Sequence, residues 1–475
     1  MRLLVDHLWT KIDGKYPETV IDRATSYLQE GYFFSPQYKK GHWDGRIRLA
    51  DKKNSRFPTG LLAQVTEALD HVGQEYEVED DRDLPEVKPV YELNGITLRP
   101  YQREAVDAAL SQTSGVIQLA TGLGKSACAA AIIKSLGRET IWITHRTQLA
   151  QQMRVRLAEA LGQPVGLVGD GVEEIERVTI CMVQTLDRSE TEHRQPLRDF
   201  LARVEVLVGD EFHRAASKGG SDQWYRQILK TNVRWRYGLT ATPDFDGAGL
   251  RLTAITGPVI YKMSVAEGID GGYLVPPRIW YIENSDPKIT ATGWAAVYRE
   301  GIVQNETRNR AVAEAADRLA LDKKRPLILV RQIAHGNTIV EKCEARGLKV
   351  DFVKGSMSPD VRELCFTALK TGAMDALVAQ VETVGEGLDF PWLRSIINAI
   401  GEKGGGNASK GEVGQQTIQV LGRGLRRDVG KEFVEYVDFL DTTHKDLKKA
   451  SKDRVGTLDA EGHSERMGFW KDYKP

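Results

Sequence analysis

The residues best suited to chemistry begin at Ala120–Ser126, ATGLGKS, where two glycines precede a lysine and a serine. Gly122 and Gly124 leave room for backbone N–H groups to wrap phosphate oxygens, and a helix starting at Ser126 would add its positive dipole end. Lys125 would reach the β- and γ-phosphates, and the Ser126 hydroxyl would help hold Mg²⁺. Leu119 stands where the plain phosphate-loop pattern has its first glycine. DEFH follows, with Asp210 85 residues beyond Lys125. Asp210 can reach Mg²⁺, and Glu211 is placed to polarise an attacking water. In QVLGRGLRR, Gln419, Arg423 and Arg426 fall at i, i+4 and i+7 and share one helix face. There an arginine can stabilise charge developing on a transferred phosphoryl group. Read singly, these motifs are a glycine turn, a helix cap and a solvated stripe. Read together, they describe hydrolysis of a nucleoside triphosphate.

Such groups need rigid elements behind them. Short apolar, β-branched runs recur between helical stretches: GVIQLA, TIWIT, VTICMV, VEVLVG and WRYGLT, then PLILV, ALVAQV, SIINAI and FVEYVDFL. This alternation predicts two parallel sheets covered by helices. The polar clusters sit where strands end, the edge at which open parallel sheets bind ligands. The acidic stretch EYEVEDDRDLPE at 75–86 reads as a connector, and DGGYLVPPRIW at 270–280 as a hinge. The expected domains are 1–90, 91–270, 271–445 and a tail, 446–475, whose lysines form a solvated helix face.

The chain is 41% hydrophobic and 28% charged, which excludes disordered and fibrous classes. A net charge of −1 requires any nucleic-acid surface to be local. Four scattered cysteines give neither a zinc site nor a disulfide framework. The early charges of MRLLVDHLWTKIDGKYPE argue against a secretory signal, and no apolar run spans a membrane. A reducing cytoplasm is the simplest compartment, that of the host if the gene is a phage's.

The ordered set LRPYQREA, ATGLGKS, DEFH, GLTATP, GEGLDFP and QVLGRGLRR resembles the superfamily 2 helicase core of the DExH type, over about Leu98 to Asp441. The resemblance implies an α/β fold: two tandem RecA-like parallel-sheet domains beside a small N-terminal α+β domain. It implies ATP and Mg²⁺, with Arg99, Gln102, Thr121, Gly122, Gly124, Lys125, Ser126, Gly387 and Asp389 around the nucleotide. Ser126 and Asp210 would serve the metal. Gln102 corresponds to the family glutamine that reads adenine, and Arg426 to the arginine finger. His213 would sense the nucleotide site, and Thr240 and Thr242 would link hydrolysis to strand binding. Thr144, His145, Arg146, Gln184, Thr185, Arg331 and Thr383 would contact a nucleic-acid backbone.

Residues 31–56 carry seven Lys or Arg against two Asp, with Tyr32, Phe33, Phe34, Tyr38 and Trp43 interleaved. Lys39, Lys40, Trp43, Arg46 and Arg48 are candidate DNA contacts, the cations for phosphates and the rings for stacking or wedging. The alternative is a small domain whose aromatics are its core. Asp44-Gly45 suits a tight hairpin turn. With GHWDGRIRL, this segment makes the chain resemble UvsW-type phage recombination helicases, which implies forked, branched or single-stranded DNA and 3′-to-5′ movement. A duplex translocase, an RNA helicase and a non-catalytic nucleic-acid clamp are the competing functions. The Gly-rich loop at 403–412 reads as a tolerated insertion or as a mobile element near the nucleic acid, and oligomeric state is open, a monomer included.

Overall fold

A computed structural model describes the chain except for 30, 84, 145–146, 189–193, 211–227, 230, 232, 242–246, 385–389, 403–420 and 475, and except for the side chains of 147–149, 187–188 and 247–248. Contacts divide it into two compact units: Met1–Leu119 with Gly124–Met263, and Ser264–Pro475 with Ala120–Leu123.

The first unit holds an eight-stranded sheet. Its order is Val172–Glu174, Gly166–Gly169, Val178–Met182, Thr140–Thr144, Val206–Asp210, Trp235–Thr240, Ser114–Leu119, Val259–Met263. Apart from the edge hairpin formed by the first two strands, the pairings are parallel. Every residue of Thr140–Thr144 and of Trp235–Thr240 is buried, which is why these strands read as unbroken apolar runs rather than alternating ones.

A small α+β layer precedes this sheet: strands Arg56–Pro58, Trp9–Asp13, Arg2–Val5 and Glu77–Asp80, with helices Glu18–Ala24 and Leu62–His71. Part of the supposed acidic connector is therefore a strand, Arg2 pairing with Glu77 in parallel register. The expected division near residue 90 is not a packing boundary either. Leu3, Ile12, Phe57, Val65 and Leu69 belong to the same buried cluster as Val116, Ile141, Leu252 and Ile255. Gly60 lies so close to the helix Gly247–Thr256 that a Cβ there would stand 2.0 Å from the Thr253 carbonyl oxygen.

The second unit has a seven-stranded sheet, all parallel, ordered Val350–Val353, Ala376–Gln380, Leu327–Val330, Ser395–Asn398, Val434–Asp441, Pro277–Asn284, Met467–Phe469. Two expectations change here. The proposed hinge contains the start of Pro277–Asn284, whose eight residues pair with Val434–Asp441; proline is tolerated because it is the first strand residue. The unit boundary lies earlier, at Met263/Ser264, where Ser264 caps the helix Val265–Asp270. Residues 446–475 are not a tail: the helix Lys445–Ala460 buries Leu447, Ala450 and Leu458, and Met467–Phe469 extends the sheet. Lys445, Lys448, Lys449 and Lys452 are exposed as expected, but Arg454 is buried against Asp438 at 3.0 Å.

All four cysteines are buried and unpaired. No described helix is long and apolar enough to cross a membrane.

Candidate nucleotide and nucleic-acid site

Three neighbouring strands deliver the first unit's candidates to one edge. Ser114–Leu119 runs into the glycine loop, Trp235–Thr240 pairs beside it with Thr240 opposite Gln118, and Val206–Asp210 pairs beyond that with Asp210 opposite Leu239. At about 4.8 Å per strand spacing, Asp210 and the loop's feeding strand lie roughly 10 Å apart. A terminal phosphate and a hydrated cation bridge such a span.

The helix Lys125–Leu136 starts at Gly124, which has φ +80° and ψ 43°, the left-handed region that favours glycine. Its interior is Cys128, Ala129, Ala130 and Ala131, all buried, small enough to pack closely on the sheet. Lys125 Nζ donates to the Leu119 carbonyl at 3.2 Å, so the residue replacing the usual first glycine supplies a backbone acceptor for the lysine. Gln102 stands on the other side. It is buried in the helix Pro100–Ser111, its Oε1 accepts from the Arg99 N–H at 2.9 Å, and a Cβ on Gly124 would meet its Nε2 at 2.4 Å. The adenine-reading candidate and the phosphate-loop candidate are thus in direct contact, and there is no room for a side chain between them. Arg99 is exposed, and its Nη1 donates to the Tyr101 hydroxyl at 3.4 Å.

Ser126 at the helix start and Asp210 at the strand end are the hard oxygen donors that Mg²⁺ prefers. Among the described residues no group of three or more His, Cys, Asp or Glu could hold a metal unaided.

Thr121 and Gly122 group with the second unit. There, a Cβ on Gly122 would meet Arg426 Cγ at 3.1 Å, and one on Gly422 would meet Thr121 Cβ at 2.8 Å. Within that unit Thr121 and Gly122 therefore lie against Gly422 and Arg426 of the arginine motif. Backbone bonds fix that motif: Val275 N–H donates to the Leu425 carbonyl at 2.8 Å, and Leu274 bridges Arg426. Arg423 Nη1 donates to the Val384 carbonyl. Sequence reading missed Lys431, whose Nζ donates to the carbonyls of Gly424 at 2.5 Å and Pro391 at 2.7 Å. It ties the end of the helical turn 421–424 to Pro391, the last residue of GEGLDFP. Burial lowers its pKa to about 7, with Arg394 adding repulsion. No spacing rule points to it.

The remaining candidates separate by surroundings. Gln184 is exposed and Thr185 half-buried on the helix Val183–Arg188, while Thr144 is buried at its strand end. Thr383 is also buried, its hydroxyl donating to the Gln380 carbonyl at 2.6 Å. Arg331 Nη1 is held by Glu402 Oε2 at 2.6 Å, and burial pushes the Glu402 pKa up. In the N-terminal layer, Arg48 pairs with Asp22 and Asp44, Arg46 bonds Ser26, and Trp43 Nε1 donates to the Arg46 carbonyl. These three are occupied within the fold, whereas Lys39 and Lys40 are exposed. Asp44-Gly45 is not a two-residue hairpin: the paired strands are Ser26–Leu28 and Arg46–Arg48, and the whole stretch between them is the connection. His145, Arg146, Glu211, His213, Thr242, Gly387, Asp389 and Gln419, and the loop 403–412, lie outside the described residues.

Three family descriptions match the chain in order: "DNA helicase UvsW, N-terminal" over 19–79, "Type III restriction enzyme, res subunit" over 95–245, and "Helicase conserved C-terminal domain" over 311–428. Together these matches support a superfamily 2 helicase resembling UvsW. The chain is 23% identical over 453 residues to the ATP-dependent DNA helicase uvsW of Enterobacteria phage T4, covering 90% of this chain and 87% of that one. It is 28% identical over 329 residues to a Halobacterium salinarum protein named for the DNA 3′-5′ helicase Rad25, covering 66% of this chain. The chain spans about half of that relative's length, 51%. Among solved structures, Saccharomyces cerevisiae Dbp5 bound to RNA and ADP BeF3 superposes with a TM-score of 0.53 at 16% identity, covering 78% of this chain and 90% of that one, a likeness of fold.

Proposed function

We propose that the protein is an ATP-dependent DNA helicase or translocase that opens or migrates forked and recombination-intermediate DNA, moving 3′-to-5′. The observation that carries this reading is the shared sheet edge of the first unit, with Lys125, Gln102 and Asp210 set around one glycine loop. Lys125 would exchange the Leu119 carbonyl for phosphate oxygens when ATP enters. Gln102 would hold the base, and Ser126 and Asp210 would hold Mg²⁺, which supplies charge neutralisation on the phosphates. Glu211 would take the proton of the attacking water, and Arg426 would stabilise the transferring group. Support for DNA and for 3′-to-5′ movement comes from what the named relatives act on.

Glu211→Gln tests the hydrolytic core. It should bind ATP like wild type and lose most steady-state turnover; unchanged turnover removes the general-base assignment. Displacement assays on forked DNA, forked RNA and a triplex separate a fork helicase from an RNA helicase and a duplex translocase. Failure to open or migrate any DNA branch rejects the proposal.

A further inference from the structure

The stretch between strands Ser26–Leu28 and Arg46–Arg48 projects two adjacent rings into solvent, Phe33 at 52% exposure and Phe34 at 71%. Their centroids are 4.3 Å apart. Tyr32 stands behind them, edge-on to Phe33 at 5.7 Å and to Tyr38 at 4.7 Å. Gly45, at φ +81°, lets the backbone press against Tyr32: a Cβ there would sit 2.5 Å from Tyr32 Cδ2. The residues around that glycine are locked. Asp44 Oδ1 accepts from the Arg46 N–H, Arg48 clamps Asp44 and Asp22, Arg46 donates to Ser26, and Trp43 Nε1 donates to the Arg46 carbonyl. Lys39 and Lys40, both exposed, close the short helix Pro36–Lys39 beside Tyr38.

We propose that Phe33 and Phe34 form a stacking wedge that engages unpaired bases at a DNA branch, with Lys39 and Lys40 on the flanking phosphates. The substrate class rests on the helicase reading above. Aromatic rings and exposed cations on a rigid base are the combination that binds unstacked bases beside a polyanion. The local excess of seven Lys or Arg over two Asp across 31–56 suits nucleic acid better than an apolar protein surface. The structure also divides labour among the aromatic and basic residues. Trp43, Arg46 and Arg48 hold the base, so the wedge is made by the two rings that stand most exposed to solvent in this segment.

The test uses the full chain and a DNA fork with 2-aminopurine at the branch. Wild type should change the probe's fluorescence on binding. F33A/F34A should lose that change and unwind the fork roughly tenfold more slowly, the order carried by one lost base–aromatic stack. Its DNA-independent ATPase and its thermal unfolding should match wild type. F33Y/F34Y, which keeps both rings, should recover the fluorescence change and the rate. Wild-type fluorescence and unwinding in F33A/F34A would overturn the wedge, including the case in which this tip docks a protein. If wild type neither hydrolyses ATP nor unwinds, the helicase reading fails. The probe measurement, made without ATP, still decides the wedge.

Discussion

Gly124→Ala isolates the contact between the glycine loop and Gln102. At φ +80° an L-residue costs about 1 kcal/mol. The added methyl group also falls 2.4 Å from Gln102 Nε2, so Gln102 must swing away and give up the bond its Oε1 accepts from Arg99, worth about 1 kcal/mol. The empty loop can relax out of the left-handed region, so overall stability should change little. ATP binding demands the original loop, and the combined cost of about 2 kcal/mol then returns as a rise of roughly 30-fold in the KM for ATP. Because Gln102 is displaced, preference for ATP over GTP should fall as well, as it should in Gln102→Ala. The assay is DNA-stimulated hydrolysis titrated with each nucleotide. A KM within threefold of wild type, with nucleotide preference intact, would refute the claim that this contact couples base recognition to phosphate binding.

Two further predictions concern the second unit. Arg308, fully buried, donates from Nε to Asp441 at 2.9 Å and from Nη1 to the Ala399 carbonyl at 2.9 Å, with Phe439 under its guanidinium. Arg308→Leu leaves a buried carboxylate without its nearest cation and should cost about 3–5 kcal/mol in denaturant unfolding, while Arg308→Met with Asp441→Asn should recover much of the loss. An equal loss in the single and paired variants would contradict the charge-burial explanation. His335 is buried with its Nε2 on Asn309 Oδ1 at 3.0 Å, and burial, reinforced by Arg308, lowers its pKa to about 3. The folded state refuses a proton that the unfolded chain accepts below about pH 6.5. Stability is therefore intact above that pH and drains as pH falls toward 3, by up to about 1.4 kcal/mol per pH unit. Thermal unfolding of His335→Gln across pH 7 to 4 should show a shallower decline than wild type; parallel curves would exclude His335 as the source.

The central strands were readable because a parallel strand buried on both faces must be apolar throughout, as in TIWIT and PLILV. The chemical groups were readable because they follow those strands directly. What periodicity could not show was where a charge is spent. Arg46, Arg48 and Lys39 look alike as letters, yet the first two are held by Ser26, Asp22 and Asp44, while Lys39 stands exposed at the end of its short helix. Nor do glycine and proline always mark a hinge: in DGGYLVPPRIW they lead into a strand in the interior of the second sheet. The strand Met467–Phe469 is three residues long, with one glycine, and gives no pattern to read.

Because Phe57, Leu61 and Val65 sit in the same buried cluster as Val116 and Leu252, the N-terminal layer has no compliant joint with the eight-stranded sheet. A load applied to the aromatic tip is transmitted as it would be through a tool handle, straight into the strand that feeds the glycine loop. Lengthening the chain between 80 and 98 would therefore leave the transmission intact. Eroding the apolar seam, by contrast, would let the tip swing idly while nucleotide turnover continued.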